Sequence, residues 1–340
     1  MLTMTSVAVV TPSFNDYRCV LELVRELDRL SNAVGNIRFR VIVVNDSPWV
    51  EISDELLARS QLERREMDLR VLELNANLGH QAALAIGLAW LLPELDDYQY
   101  IVTIDADGED NPSDIIRMIQ TLSNDSPSSL ACVARRRVRM ERLLFRMGYK
   151  AYKSFSYLLI GTSIDYGNFI CFRPAALKIL ARKPETTVHI AASVLHSRMP
   201  FRKVSSDRRK RYSGESRMGG YSSLVLHGFR AYTVFGDRIA VRLMMFVLLG
   251  LGMVLIGVFA AGLIRFTGMI EVFPGWASIV SLVLIGFGSM IAINLFGLAL
   301  LLIITSSSSL RASPLDYLEQ FLAKDSWEKP RKPRGETLGL

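Results

Sequence analysis

The stretch YIVTIDADGEDNP, Tyr100 to Pro112, runs from apolar residues straight into Asp105, Asp107, Glu109 and Asp110, with Gly108 among them. Carboxylates at this spacing suit hard divalent cations, and Mg2+ and Mn2+ are commonly shared between one or two carboxylates and a substrate phosphate. An Asp-x-Asp beyond the C-terminal end of a buried strand lies at the edge where open α/β sheets bind ligands. A solvated acidic turn capping the next helix is the competing account, and for an isolated Asp-x-Asp it is the better one. The strand before this turn and the elements around it favour a ligand site.

Two basic clusters are the other chemically loaded stretches. Arg135 to Lys153 holds eight arginines and lysines against Glu141, with Leu143, Leu144, Met147, Tyr149 and Tyr152 interleaved. This pattern predicts a basic amphipathic helix lying on an anionic membrane surface; a solvated face packed on the domain is the alternative. The second cluster runs from Arg198 through Arg202, Lys203, Arg208, Arg209, Lys210 and Arg211 to Arg217. Beyond the acidic turn, Glu185 and Glu215 are the only carboxylates nearby, and His189 is expected to be a structural histidine.

The elements that must position these residues alternate. Strands are predicted at Ser6–Thr11, Phe39–Val44, Leu69–Leu74, Tyr100–Ile104, Leu130–Ala134 and Tyr166–Arg173. Helical spacing appears at Cys19–Leu30, Asp54–Arg65, Gln81–Leu91, Asp114–Leu122 and from Pro174. Such alternation predicts a doubly wound, mainly parallel α/β sheet, whose polar loops after strands one to four converge on one crevice.

The chain has 340 residues, half of them hydrophobic, and a net charge of +7. Cys19, Cys132 and Cys171 show no metal-binding spacing and are expected to be reduced core thiols. Met1 to Ser6 carries no basic run, so no secretory leader is expected. Leu243–Ile264 and Ala277–Ile304 are charge-free apolar runs of 22 and 28 residues, each long enough to span a membrane. Arg230, Arg238 and Arg242 precede the first run, and Arg311, Lys324 and Lys329 follow the second. The loop between them holds only Arg265 as a cation, which places both ends in the cytosol. The expected organisation is a catalytic domain over 1–212, juxtamembrane helices over 213–242, a hairpin over 243–304 and a cytosolic tail over 305–340 with a disordered end.

An ordered set of short motifs carries a resemblance. It comprises Pro12-Ser13-Phe14-Asn15, Asp46, Asn77-x-Gly79 with Ala83 and Gly87, the Asp105–Asp110 turn, Gly167-Asn168-Phe169, and Arg211-x-x-Gly214-x-Ser216-Arg217. The chain resembles a family 2 glycosyltransferase of the GT-A fold, in the branch of dolichol-phosphate-mannose-synthase-like and bacterial polyprenyl-phosphate enzymes, from Val7 to about Ile304. The resemblance implies inverting transfer of a sugar from a nucleotide-diphosphate donor to polyprenyl phosphate at the cytosolic face of a bacterial inner membrane. Asp105, Asp107 and Glu109 would hold Mg2+ or Mn2+. Pro12, Phe14, Asp46, Asn77, Gly79 and Asp105 would bind the donor. Arg135, Arg137, Arg142, Arg211 and Ser216 are candidates for the acceptor phosphate, since guanidinium matches phosphate bidentately. Asp107, Arg211 and Asn168 are the expected catalytic residues. The implied partners also include membrane lipids and further copies of the chain in a homo-oligomer, and no nucleic acid.

The chain departs from the family pattern in several places. Asn45 stands where a second acid usually precedes Asp46, Pro48-Trp49 replaces Gly-Ser, and Asn168 replaces an acid. Ser216-Arg217 replaces Ser-Lys, and no Glu-Tyr follows the second span. The missing acid favours a phosphate acceptor, which is largely ionised at neutral pH and needs no base. The alternatives are a glycosyltransferase acting on a lipid or glycan hydroxyl, and a non-enzymatic membrane module binding anionic lipid or nucleic acid. Processive synthases of this fold carry Gln-x-x-Arg-Trp, and no tryptophan here follows an arginine.

Overall fold

The computed structural model describes residues 4–49, 68–136, 153–154, 156–213, 230–267, 274–306 and 312–323. Seven strands carry the first unit: β1 Thr5–Ser13, β2 Ile37–Asn45, β3 Asp68–Glu73, β4 Tyr100–Thr103, β5 Ala131–Arg136, β6 Ile170–Phe172 and β7 Phe201–Ser206. The helices are α1 Tyr17–Val34, α2 His80–Trp90, α3 Asp114–Ser123, α4 Pro174–Leu180, α5 Glu185–Val188, α6 Ile190–His196, α7 Gly236–Thr267, α8 Trp276–Ser306 and α9 Pro314–Phe321. A 3-10 turn, Leu92–Asp97, leads into β4.

The strands form one sheet in the order β3-β2-β1-β4-β6-β5-β7. β6 runs antiparallel to both β4 and β5, and the other neighbouring pairs are parallel. Side chains alternate faces along a strand, and the central strands are apolar on both. Val7 and Val9 of β1 join Val41 and Val43 of β2 in one core, under α1 and α3. Ala8, Val10, Ile42 and Val44 enter the other, under α2 and α4. Beyond its first two residues α2 is apolar on every face, and Ala82 to Ala89 are buried. A Cβ added at Gly87 would lie 2.5 Å from Val10 Cγ1, so this glycine lets α2 sit directly on β1 and β2.

Several sequence expectations are adjusted. The strand expected at Tyr166–Arg173 is confined to Ile170–Phe172, because the Asn168 carbonyl turns to accept from Thr103 Oγ1. β7 was hidden in the second basic cluster, where its exposed Arg202 and Lys203 mask its alternation. Arg135 and Arg136 close β5 instead of opening a basic helix. The helix expected at Asp54–Arg65 and the basic stretch 137–152 lie outside the described residues. α9 forms inside the segment expected only as a tail.

The second unit comprises Leu143–Ser163 and Tyr232–Leu310. α7 and α8, of 32 and 31 residues, extend the expected apolar runs at both ends. At 1.5 Å per residue each is about 45–48 Å long, against roughly 30 Å of hydrocarbon in a bilayer. Both are long and apolar enough to cross a membrane. They meet at small residues: a Cβ at Gly288 would lie 2.6 Å from Val254 Cγ2. Arg242, near the start of α7, donates from Nη1 to the Tyr157 and Leu158 carbonyls at 2.7 and 2.6 Å, tying down a short helix at 156–160.

Candidate active site

The parallel register places Ser13, at the end of β1, opposite Asn45 at the end of β2. Asp46 follows, buried, with its amide donating to the Ser13 carbonyl at 2.8 Å. Its carboxylate accepts from the backbone N–H of Leu78 at 2.7 Å and of Gly79 at 2.8 Å. Burial raises the pKa of Asp46, against those two hydrogen bonds and the nearby His80. Gly79 has φ +86°, a conformation that suits glycine, and hands the chain into α2. Next to this edge, Asn15 N donates to Ser47 Oγ at 2.9 Å. Phe14 meets Trp49 edge-on at 5.8 Å between ring centroids, and Trp49 is 63% exposed, which presents an aromatic surface to solvent.

β4 delivers the acidic turn. The amide of Glu109 donates to Asp107 Oδ1 at 2.9 Å, and Gly108 at φ +81° closes the turn. His80 Nε2 lies 3.0 Å from Asp105 Oδ1 and 2.9 Å from Asn168 Nδ2. One ring nitrogen thus faces an acceptor and a donor, and its protonation decides which it bonds. Desolvation pulls the His80 pKa down, but the carboxylates of Asp105, Asp107 and Asp46 outweigh it and leave the pKa raised. Gln81 orients the amide of Asn168, donating from Nε2 to Asn168 Oδ1 at 3.0 Å. Gln81 Oε1 is itself held by the Ile190 amide at 2.8 Å.

A basic segment after β7 lies along the acidic turn. Arg209 N donates to the Glu109 carbonyl at 2.8 Å, and Tyr212 N donates to the Asp107 carbonyl at 2.9 Å. Arg211 Nη2 reaches Asp107 Oδ2 at 2.7 Å, and Arg208 pairs with Glu109. Arg209 makes a two-pronged pair with Glu26 on α1, at 2.7 and 2.8 Å. Tyr212 covers Gly108 so closely that a Cβ there would lie 2.6 Å from its ring.

Contacts join Asp46, Gly79, His80 and Asp105, with Asn168 beside His80, and two residues further along the same turn Asp107 carries Arg211. Asn77 is exposed on the loop that Asp46 pins, while Pro12 is buried within β1 opposite Val44. Arg135 pairs instead with Asp165, Nε to Oδ2 at 3.0 Å. Arg137, Arg142 and Ser216 lie outside the described residues. Among the described residues no three His, Cys, Asp or Glu side chains form a ready metal cage. Two carboxylates on one turn, each already drawing a cationic or protonable partner, still fit a hard divalent ion that completes its shell with phosphate and water. His189 has the structural role expected of it, accepting from Ala192 N as the cap of α6. His80 and Gln81 were not singled out from the sequence, and Trp49 was named only as a departure from the family pattern. His80 opens α2 directly after the Asn77-x-Gly79 motif, which was the signal available.

Residues 8–205 match the family model of glycosyl transferase family 2. The match spans more than half of the chain, which belongs to this family of glycosyltransferases. Among solved structures, a mannosyltransferase from Pyrobaculum calidifontis in complex with GDP-Man and Mn2+ is similar at 15% identity and TM-score 0.40, covering 92% of this chain and 78% of that one. Mannosyl-3-phosphoglycerate synthase from Rubrobacter xylanophilus is similar at 14% identity and TM-score 0.42, covering 67% and 74%. Glucosyl-3-phosphoglycerate synthase from Mycobacterium tuberculosis, in complex with Mn2+, UDP and glucosyl-3-phosphoglycerate, is similar at 10% identity and TM-score 0.43, covering 70% and 80%. No curated protein matches the chain in sequence.

Proposed function

We propose that this glycosyltransferase moves a sugar from a nucleotide-diphosphate sugar to a polyprenyl phosphate at the cytosolic face of a membrane that α7 and α8 cross. The observation that carries this reading is Arg211 on Asp107 at 2.7 Å: a guanidinium, a group whose fork matches phosphate, sits against the carboxylate best placed to hold a cation. The exposed Trp49, packed edge-on against Phe14, offers a stacking surface for the base, and the loop at Asn77–Gly79 is held ready by Asp46. Asp105 and Asp107 would hold Mg2+ or Mn2+, which supplies Lewis-acid stabilisation of the departing diphosphate. Arg211, whose guanidinium fork matches phosphate, would hold the acceptor phosphate beside that site. The acceptor oxygen then attacks the anomeric carbon from the face opposite the diphosphate. The bond from that carbon to the acceptor phosphate oxygen forms as the bond to the diphosphate oxygen breaks, inverting the centre. A phosphate monoester with a second pKa near 6 is already largely ionised and gives up no proton.

His80 favours a second reading, in which the acceptor is a lipid hydroxyl. It supplies a protonable group at Asp105 and Asn168 that could take up the hydroxyl proton. The test is a panel of labelled nucleotide sugars offered to purified protein in lipid with Mn2+, with polyprenyl phosphate in one arm and the free polyprenol in the other. Product mass showing a sugar phosphodiester only in the phosphate arm supports the first reading. Product only from polyprenol overturns it in favour of the second, and hydrolysis with neither acceptor overturns both.

A further inference from the structure

The chain beyond the second apolar helix returns to the sheet, and its landing place is the loop just described. We infer that residues 313–323 are a strap that sets the position of the donor loop at 74–79. This rests on the reading above that the loop binds the donor.

The strap is locally self-defining. Ser313 and Asp316 form a reciprocal capping box, with Pro314 in the first turn, so α9 starts sharply at this point. Leu318 and Leu322 are buried in the same core as Leu72, Leu74 and Ala83. β3 is the edge strand of the sheet, and its free backbone would otherwise face water. The strap pairs with the C-terminal end of that edge. Leu322 bridges Leu74 in antiparallel fashion, Asn75 N donates to the Phe321 carbonyl at 2.9 Å, and Ala323 N donates to the Glu73 carbonyl at 2.9 Å.

The other side of the same three residues is held by β2. Leu74 N donates to the Asn45 carbonyl at 3.1 Å, and Asn45 Nδ2 donates to Glu73 Oε2 at 2.5 Å. Glu73 to Asn75 is thus gripped between the strand that delivers Asp46 and the strap. Three residues further on, Leu78 and Gly79 give their amides to Asp46. Fixing one backbone residue costs about 1–2 kcal/mol of conformational entropy. A loop fixed beforehand at both ends spares the ligand that cost, which appears as donor affinity. Leu322 and Ala323 are therefore positioning residues, acting through Glu73 and Leu74.

The test uses the full-length protein in lipid. Ala323→Pro removes the N–H donated to Glu73 and leaves the core side chains intact. Leu322 already has the extended backbone, φ −73° and ψ 128°, that a following proline requires. A second variant, Leu318→Ala with Leu322→Ala, loosens the strap from the core. Amide exchange at Leu78 and Gly79 is read without any ligand, and KM for donor and acceptor is read separately. The expected result in both variants is exchange at those two amides faster by about tenfold or more. Donor KM should rise by about three- to tenfold, with acceptor KM and kcat little changed. Lowered thermal stability with exchange at Leu78 and Gly79 unchanged would overturn the strap and leave α9 a packing element only. Faster exchange with unchanged KM for every nucleotide sugar would support the strap and contradict the donor role of the loop.

Discussion

The edge at Asp46 and the turn at Asp105 lie at the same end of one sheet, yet different forces hold them. At the first, a buried carboxylate takes two backbone amides, and glycine at φ +86° leads into a helix seated on β1 and β2 through Gly87. At the second, the partners are arginines: Arg211 on Asp107, Arg208 on Glu109 and Arg209 on Glu26. Arg208 and Arg209 are exposed, and exposed ion pairs contribute about 0–1 kcal/mol each; Arg211 and Asp107 are the more buried pair of the set. The first region is held by backbone hydrogen bonds to one buried carboxylate. The second is held by side-chain charges, and under the proposed function its arginine would give way to a cation and a phosphate.

Substitutions that sharpen this contrast differ in size and in kind. Asp107→Ala should cost the most activity and little stability. Transfer should fall by about 10²–10³-fold, with the circular dichroism and melting temperature of the wild type. A loss under tenfold would remove Asp107 from the chemistry. Asp46→Ala should instead unsettle the structure, leaving the part-buried Leu78 and Gly79 amides without their acceptor, at up to about 1–3 kcal/mol per group. Denaturant unfolding and donor KM should both respond. An unchanged unfolding midpoint would break the distinction between the two regions.

Gly108→Ala should be milder. It forces a side chain into φ +81° and against Tyr212, for about 1–2 kcal/mol of backbone strain plus the displaced ring. Pairing it with Tyr212→Ala should recover the ring contribution and leave the strain, which thermal unfolding of the single and double variants would separate. The smallest effect belongs to Glu26→Gln. The hydrogen bond from Arg209 holds the Glu26 carboxyl below its ordinary pKa despite desolvation, so the folded state binds that proton more weakly than the unfolded chain. The stabilisation is present above the unfolded carboxyl value and is lost as pH falls through the lowered folded one. For a pair this exposed it should be under about 1 kcal/mol near neutral pH and absent well below pH 4. A difference between wild type and variant that persists in strong acid would contradict the ion-pair account.

The parallel core was legible because β1, β2 and β4 are continuous apolar runs separated by amphipathic helices, and burial on both faces leaves that mark. The acidic turn was legible because it is contiguous. What required three dimensions was hidden. Arg211 and Asp107 are 104 residues apart, and Asn168 lies 88 residues from His80; no local pattern joins them, and only the family resemblance placed Asp107, Arg211 and Asn168 in one site. β7 is an edge strand whose charged residues imitate a solvated basic run, and edge strands carry charge to discourage pairing with other chains. α9 is eight residues long and follows a run of apolar helix, so its period had little room to show. Its capping box, Ser313-Pro314 with Asp316, was the readable sign.

The most direct test of the central claim is Arg211→Lys, assayed with polyprenyl phosphate across a range of acceptor concentrations. A lysine keeps the charge against Asp107 but offers a point where arginine offers a fork. If Arg211 grips the acceptor phosphate, transfer should fall by about tenfold or more, donor KM should stay near wild type, and the fold should be intact. Near-wild-type transfer by the lysine variant would contradict the claim. It would make Arg211 a counter-charge for the acidic turn and place the acceptor phosphate elsewhere.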